Sequence, residues 1–308
     1  MFDPRPPVDP SDRLTADLAF IGHMCLDEVI PFGGSPRVAP GSAVLCGALA
    51  AARIGTKVAV VTRMAPKDEE ILEPMRQAGI AVHVVPTDVT TYMKVVHPST
   101  DVDDREMFQL ANAGRFVVSD IPALDVRQVH LAGITDQEFD LEFVRRMKAR
   151  GYRLSADMQS FVRQVDPTTN RISFGDVADK IEIVSLLDMV KLDVVEAKVL
   201  TETDDLERAA IKFEEWGSPE TLITRSDGVL ARVNGKTYWE PFSNRSVVGR
   251  TGRGDTTFAA YMARRLDHNP AESLRFAAAL VSLKMEKAGP FDGALADVLE
   301  RMNAIAVR

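Results

Sequence analysis

The 308-residue chain lacks several things that would narrow its function at once. It has two cysteines, Cys25 and Cys46, both inside apolar segments. They read as small buried thiols in a reducing compartment, so a cytoplasmic location is expected. No apolar run approaches the ~18 residues of a membrane span, and no membrane partner is expected. The net charge is −8, which repels phosphate backbones and argues against nucleic acid as a partner. The five histidines, His23, His83, His97, His130 and His268, are not paired at ligand spacing. Aromatic residues make up only 6% of the chain, few for stacking on a nucleoside base. There is no internal repeat and no low-complexity tract. Residues 1–16 open with "MFDPRPPVDPSDR", which carries four prolines and no apolar core; they read as a flexible arm.

What is present is ordinary globular composition, 45% hydrophobic and 27% charged. Short apolar runs at 17–22, 57–64, 80–86, 127–132, 153–158, 188–193 and 221–225 read as strands. Helical spacing recurs at 42–54, 67–78, 138–150, 206–216, 255–266 and 271–287, and four of these helices stop at Gly55, Gly79, Gly151 and Gly217. The alternation implies an α/β fold with a mostly parallel, doubly wound sheet. Runs 229–233 and 237–242 around Asn234-Gly235 form a hairpin. The rhythm breaks at 91–97 and 105–110, which flank the acidic turn "PSTDVDD". These read as a small β insert, assembled from about 28–40 and 87–115, on one large domain spanning 17–308.

The most informative stretch is "VVGRTGRGDTTFAAYM", residues 247–262. Gly249 to Thr256 fits the phosphate-loop pattern G-x-x-x-x-G-K-[ST] except that Asp255 stands where lysine belongs. Arg253-Gly254-Asp255 also spells an adhesion tripeptide, but the amphipathic run after it looks like the start of a buried helix. Gly252 and Gly254 free the backbone to aim successive N–H groups one way, and the helix start adds its own unpaired N–H groups and dipole. Together they make an anion hole. An acid beside such a hole suits a base that takes a proton from an attacking alcohol. Asp is also a favoured helix cap, and the local pattern leaves both roles open.

The motif Gly252-Arg253-Gly254-Asp255, followed by Ala259-Ala260, resembles the signature of the ribokinase-like (PfkB) family of sugar kinases. Further segments follow in the family's order: "LAFIGHMCLDEVI", "PGSAVLCGALAAARIG", "LSADMQ", "DMVKLDVVEAKVLT" and "LITRSDGVL". The resemblance covers residue 17 to the C-terminus. It implies a three-layer α/β/α sandwich with a β lid, and ATP- and Mg²⁺-dependent phosphorylation of a small polyhydroxy substrate. Arginine at Arg253, with the run "AAALVSLKMEKAGP", is similar to a branch that includes myo-inositol kinases, so a cyclic polyol is the expected acceptor. The chain departs from the family at Gly249, Ser42, Cys46 and Asp193, where Asp, Gly, Asn and Asn are usual.

The resemblance also distributes roles. Asp255 is the implied base, with the N–H groups of Gly252, Arg253, Gly254 and Asp255 forming the anion hole. Asp27, Gly41, Ser42 and Asp157 are implied on the substrate side. Asp193, Thr224, Ser226, Gly228, Ala278 and Ser282 are implied on the nucleotide side, with Lys284 nearby. Glu196 is implied to hold Mg²⁺ through water. The insert is expected to act as a lid, with Met107 and Phe108 offering apolar surface for a homodimer. A nucleoside kinase on the same fold, or a non-catalytic binding protein, are the alternatives.

Overall fold

A computed structural model describes residues 13–100 and 104–306. Nine strands form the central sheet, in the order Lys236–Pro241, Gly228–Val233, Glu220–Thr224, Met189–Asp193, Leu154–Asp157, Gln128–Leu131, Leu18–Ile21, Val58–Met64, Ala81–Pro86. The seven from Glu220–Thr224 onward pair in parallel, and the two before them form an antiparallel hairpin at one edge. The parallel strands are buried on both faces, which accounts for their unbroken apolar runs. Helices Ala43–Arg53, Arg253–Arg265 and Pro270–Met285 pack on one face; Leu141–Ala149, Val194–Thr201 and Leu206–Glu215 pack on the other. The expected three-layer α/β/α sandwich is therefore observed.

The chain leaves Leu18–Ile21 toward one edge and later returns beside the same strand to build outward toward the other. That reversal opens a crevice at the carboxyl ends of the strands, where ligands of such sheets bind. Asp157, Asp193 and Thr224 are the last residues of three adjacent parallel strands at that end.

A second sheet, in the order Arg37–Gly41, Cys25–Ile30, Thr91–Val96, Glu106–Ala111, forms the insert. It starts at Cys25, three residues before the expected 28. Its small core contains Cys25, Met93, Met107, Ile134 and Ile172. Met107 is thus buried rather than offered to a second copy, and Phe108 is only half-exposed. Part of the turn between its last two strands, 101–103, lies outside the described residues, as do residues 1–12 of the expected arm. The arm's described end is not loose: Leu14–Thr15 pairs in parallel with Leu124–Asp125.

The helix expected at 67–78 is instead a 3₁₀ segment, Pro66–Leu72, followed by the short helix Glu73–Gln77. Pro74 has no N–H to donate to the preceding turn, so a continuous α-helix cannot cross it. No helix among the described residues is long and apolar enough to cross a membrane.

Candidate active site

The Asp255 helix, Arg253–Arg265, begins directly after Gly252, whose φ of 78° is left-handed. A Cβ at Gly252 would lie 2.5 Å from Cys46 Sγ, so close approach as well as conformation demands glycine. The cap is therefore Gly252, and Asp255 sits inside the first turn, half-buried. The capping alternative for Asp255 falls, and so does adhesion, because the tripeptide is helical and part-buried. Among the described residues no hydrogen bond reaches the Asp255 carboxylate. The Arg253 N–H is used up in a turn to the Arg250 carbonyl at 3.1 Å. The N–H groups of Gly254 and Asp255 have no backbone acceptor among the described residues and remain for an anion.

Beneath this turn lies a charged layer that the sequence reading missed. Lys191, in the strand Met189–Asp193, is 3% exposed and pairs with Asp157 at 2.6 Å. A Cβ at Gly254 would lie 2.8 Å from its Nζ, which puts the ammonium directly under the anion hole. Burial works against that charge, but Asp157, Glu196, Asp255 and Asp193 keep the ammonium protonated above the usual lysine range. Arg163 joins the layer through Glu196 at 3.3 Å, while its buried Nε has no partner. Arg105 arrives from the insert. It is disfavoured by burial and by the neighbouring Arg163 guanidinium, and favoured by Asp193 and Glu196. Neither the Arg105 nor the Arg253 side chain makes a hydrogen bond or ion pair among the described residues. Arg253 is half-buried, and burial and Arg250 press against its charge while Asp193 and Asp227 favour it. The available signal was Lys191 itself, the one cation in the core strand "MVKLD". Arg105 and Arg163 come from distant segments and carried none.

On the acceptor side, Asp27 projects from the insert strand Cys25–Ile30. Cys25 Sγ donates to its Oδ1 at 3.1 Å, and a Cβ at Gly41 would collide with its Oδ2 at 1.9 Å. Gly41 thus makes room for the carboxylate. Burial pushes the Asp27 carboxyl up, the Cys25 hydrogen bond pulls it down, and the charge of Asp255 pushes it up again. Asp27 and Asp255 therefore sense each other across one cleft.

Other expected residues are placed differently. Ser42 caps the helix Ala43–Arg53, accepting from Leu45 N at 3.0 Å, with a φ of 129°. Asp157 is 1% exposed, held by Lys191 and by the Gln159 N–H, so it supports the site from behind and does not face a substrate. Asp193 caps the helix Val194–Thr201 through the Val195 and Glu196 N–H groups. Thr224 is buried and donates to the Leu192 carbonyl at 3.3 Å. Ser226 is exposed in the turn after it. Gly228 admits Trp239, whose ring lies 2.4 Å from where a Cβ would be. Ala278 and Ser282 are buried in the helix Pro270–Met285, and Ser282 Oγ accepts from Ser243 N at 2.8 Å. Gly228, Ala278 and Ser282 thus serve internal packing and offer little surface to a nucleotide base. Lys284 does not flank a base either; it reaches under the glycine loop.

Glu196 was expected to hold Mg²⁺. It is fully buried, with Oε2 accepting from Asp193 N at 2.8 Å and Oε1 from Arg163. Burial and Asp193 push its carboxyl up, against Lys191 and Arg163. The described residues contain no group of three His, Cys, Asp or Glu side chains able to hold a metal. The donor set as arranged offers no direct cage for an ion, and both Glu196 oxygens are engaged by protein groups.

Comparison with known proteins agrees with this geometry. The profile of the pfkB family of carbohydrate kinases matches residues 16–295. A cytidine kinase of Thermococcus kodakarensis is 27% identical over 267 residues, 83% of this chain and 91% of that one. A pyrophosphate-dependent kinase in the ribokinase family, solved as a sulfate complex, is 30% identical with TM-score 0.84, covering 92% of this chain and 99% of its own. A pyrophosphate-dependent kinase of that family, complexed with a pyrophosphate analog and myo-inositol, is 28% identical with TM-score 0.83 over the same shares.

Proposed function

Because the chain belongs to the pfkB family of carbohydrate kinases, and is thereby a phosphotransferase, we propose that it phosphorylates one hydroxyl of a small cyclic polyol of the inositol type. The observation that carries this reading is the position of Asp255. Its carboxylate stands free of hydrogen bonds among the described residues, one turn into a helix whose first N–H groups are open. A hydroxyl held by Asp27 gives its proton to Asp255 as its oxygen attacks the terminal phosphorus. The bond from that phosphorus to the leaving phosphate breaks in line, and Gly254, Asp255 and Lys191 take up the charge on the transferred group.

The donor we propose is inorganic pyrophosphate, where the sequence led us to expect ATP. Lys191, Arg105, Arg163 and Arg253 surround the open N–H groups and suit a compact polyanion. Three of the residues expected on the nucleotide side, Gly228, Ala278 and Ser282, are engaged in internal packing. The two relatives described as pyrophosphate-dependent point the same way. Mg²⁺ would be supplied together with the donor, since the described residues offer it no cage of their own. A nucleoside acceptor is the second reading, favoured by the cytidine kinase relative. Phosphate release from pyrophosphate and ADP release from ATP, each across inositols, hexoses and nucleosides, separates these. Turnover with pyrophosphate and an inositol supports the proposal; turnover only with ATP and a nucleoside sinks both its donor and its acceptor.

A further inference from the structure

The loop leading into the Asp255 helix is held from below by one side chain that this chemistry leaves without a role. Lys284 lies in the last turn of the helix Pro270–Met285 and is 2% exposed. Its ammonium donates to the backbone carbonyls of Gly249 and Thr251. No carboxylate pairs with it among the described residues. A charge taken out of water is ordinarily met by an opposite charge. A desolvated cation ringed by carbonyl oxygens is instead how proteins hold a monovalent ion.

The surroundings fit that comparison. Gly249 N donates to the Met285 carbonyl at 2.8 Å, and a Cβ at Gly249 would lie 1.7 Å from the Lys287 carbonyl oxygen. The loop therefore lies directly against the carbonyl end of one helix and runs into the N–H end of the next. The Lys284 charge sits at the first helix's negative end, where a cation is stabilised. Burial lowers its pKa while Cys46 and Asp255 raise it, so the charge of Asp255 reaches this ammonium. The first open N–H of the anion hole, that of Gly254, follows three residues after Thr251.

We propose that Lys284 is a built-in monovalent cation: its ammonium fixes the Gly249 and Thr251 carbonyls, and so holds the Gly254 and Asp255 N–H groups ready for the donor without a bound K⁺ or Na⁺. Lys284 is on this view a positioning residue, and the proposal rests on reading the Asp255 helix as the donor-phosphate site.

The test is calorimetric binding of inorganic pyrophosphate, and in parallel Mg-ATP, to the full chain. It is run in choline, sodium, potassium and ammonium chloride at equal ionic strength. The unmodified protein should bind its donor with affinities within about twofold in every salt. Lys284→Ala removes the ammonium and leaves space for a small cation. It should bind at least about tenfold more weakly in choline chloride and recover most of the loss in potassium or ammonium chloride. Lys284→Met fills the space with an apolar chain and should stay weak in every salt. Three results would overturn the proposal: an unmodified protein that binds only with K⁺ or Na⁺ present, an alanine variant equally weak in all salts, or one that binds normally in choline. If neither variant folds, the salt series on the unmodified chain still decides. Failure of the unmodified protein to bind either donor in any salt would sink the phosphate-site reading itself, and this proposal with it, before any variant is made.

Discussion

Asp27 and Asp255 share a cleft, yet the proposed chemistry asks only Asp255 to take a proton. Asp255→Asn should cut kcat roughly 10² to 10⁴-fold while the acceptor KM moves far less, measured by steady-state phosphate release. Asp27 is raised by burial and by Asp255, so its folded carboxyl holds its proton above the usual 3.8. An acid with a raised folded value binds more protons folded than unfolded. Its contribution to stability is thus lost as pH climbs from the ordinary carboxylate range through the raised value. Asp27→Asn should therefore unfold at higher urea than the unmodified protein at neutral pH and converge with it in acid, while losing acceptor binding. A variant less stable at neutral pH would contradict this. Ser42 keeps a backbone conformation that only glycine adopts without strain. Ser42→Gly should raise stability by about 1 kcal/mol, since relieved strain of about 1 to 3 kcal/mol exceeds the few tenths lost with the cap. Arg105 and Arg253 have carboxylates nearby but form no ion pair with them among the described residues. Charge-assisted hydrogen bonds contribute roughly 1.5 to 3 kcal/mol, so replacing either by Met should weaken donor binding about 10 to 100-fold in calorimetry.

The helix Val194–Thr201 shows where the Glu196 carboxylate is engaged. Asp193 and Glu196 form a capping box, and Glu196 also neutralises Arg163. Glu196→Ala leaves Arg163 buried without its counter-charge, which should cost about 3 to 5 kcal/mol of stability in urea unfolding. A metal ligand would instead shift the Mg²⁺ dependence of turnover and leave unfolding nearly unchanged. The same helix marks the limit of what sequence could tell. The parallel strands were legible because buried strands are continuous apolar runs, and the helix ends because Gly55, Gly79, Gly151 and Gly217 all take positive φ. The short hairpin of Arg163–Val165 with Ile172–Phe174 was not, because three-residue strands carry no period to read. Arg163 went unnoticed with it. Asp255, Gly252 and Gly254 were legible because they are adjacent in the chain. The Lys191, Arg163 and Arg105 layer was not, because only folding brings three distant segments together. Asp157, Asp193 and Glu196 lie around Lys191, but their carboxylates are spent on neighbours, and a linear motif does not record hydrogen-bond partners.

The molecule as a whole is acidic, yet its cleft gathers Arg105 and Arg253 at one mouth, above the buried Lys191 and Arg163 that Asp157 and Glu196 already pair with. A polyanion reaching that mouth is met by the opposite sign of charge from the surface around it. Arg105 comes from the insert, so a donor that engages it also draws the insert toward the central sheet. Binding of pyrophosphate with an inositol should therefore slow hydrogen exchange in the strands Thr91–Val96 and Glu106–Ala111, and unchanged exchange there would refute closure. The most direct measurement is phosphate release from Mg-pyrophosphate with myo-inositol and related polyols, for the unmodified chain beside Asp255→Asn. Polyol-dependent release that falls at least about 100-fold in the variant is the predicted result. Release that persists in the variant, or the absence of polyol-dependent transfer from both pyrophosphate and ATP, would contradict Asp255 as the base of a polyol kinase.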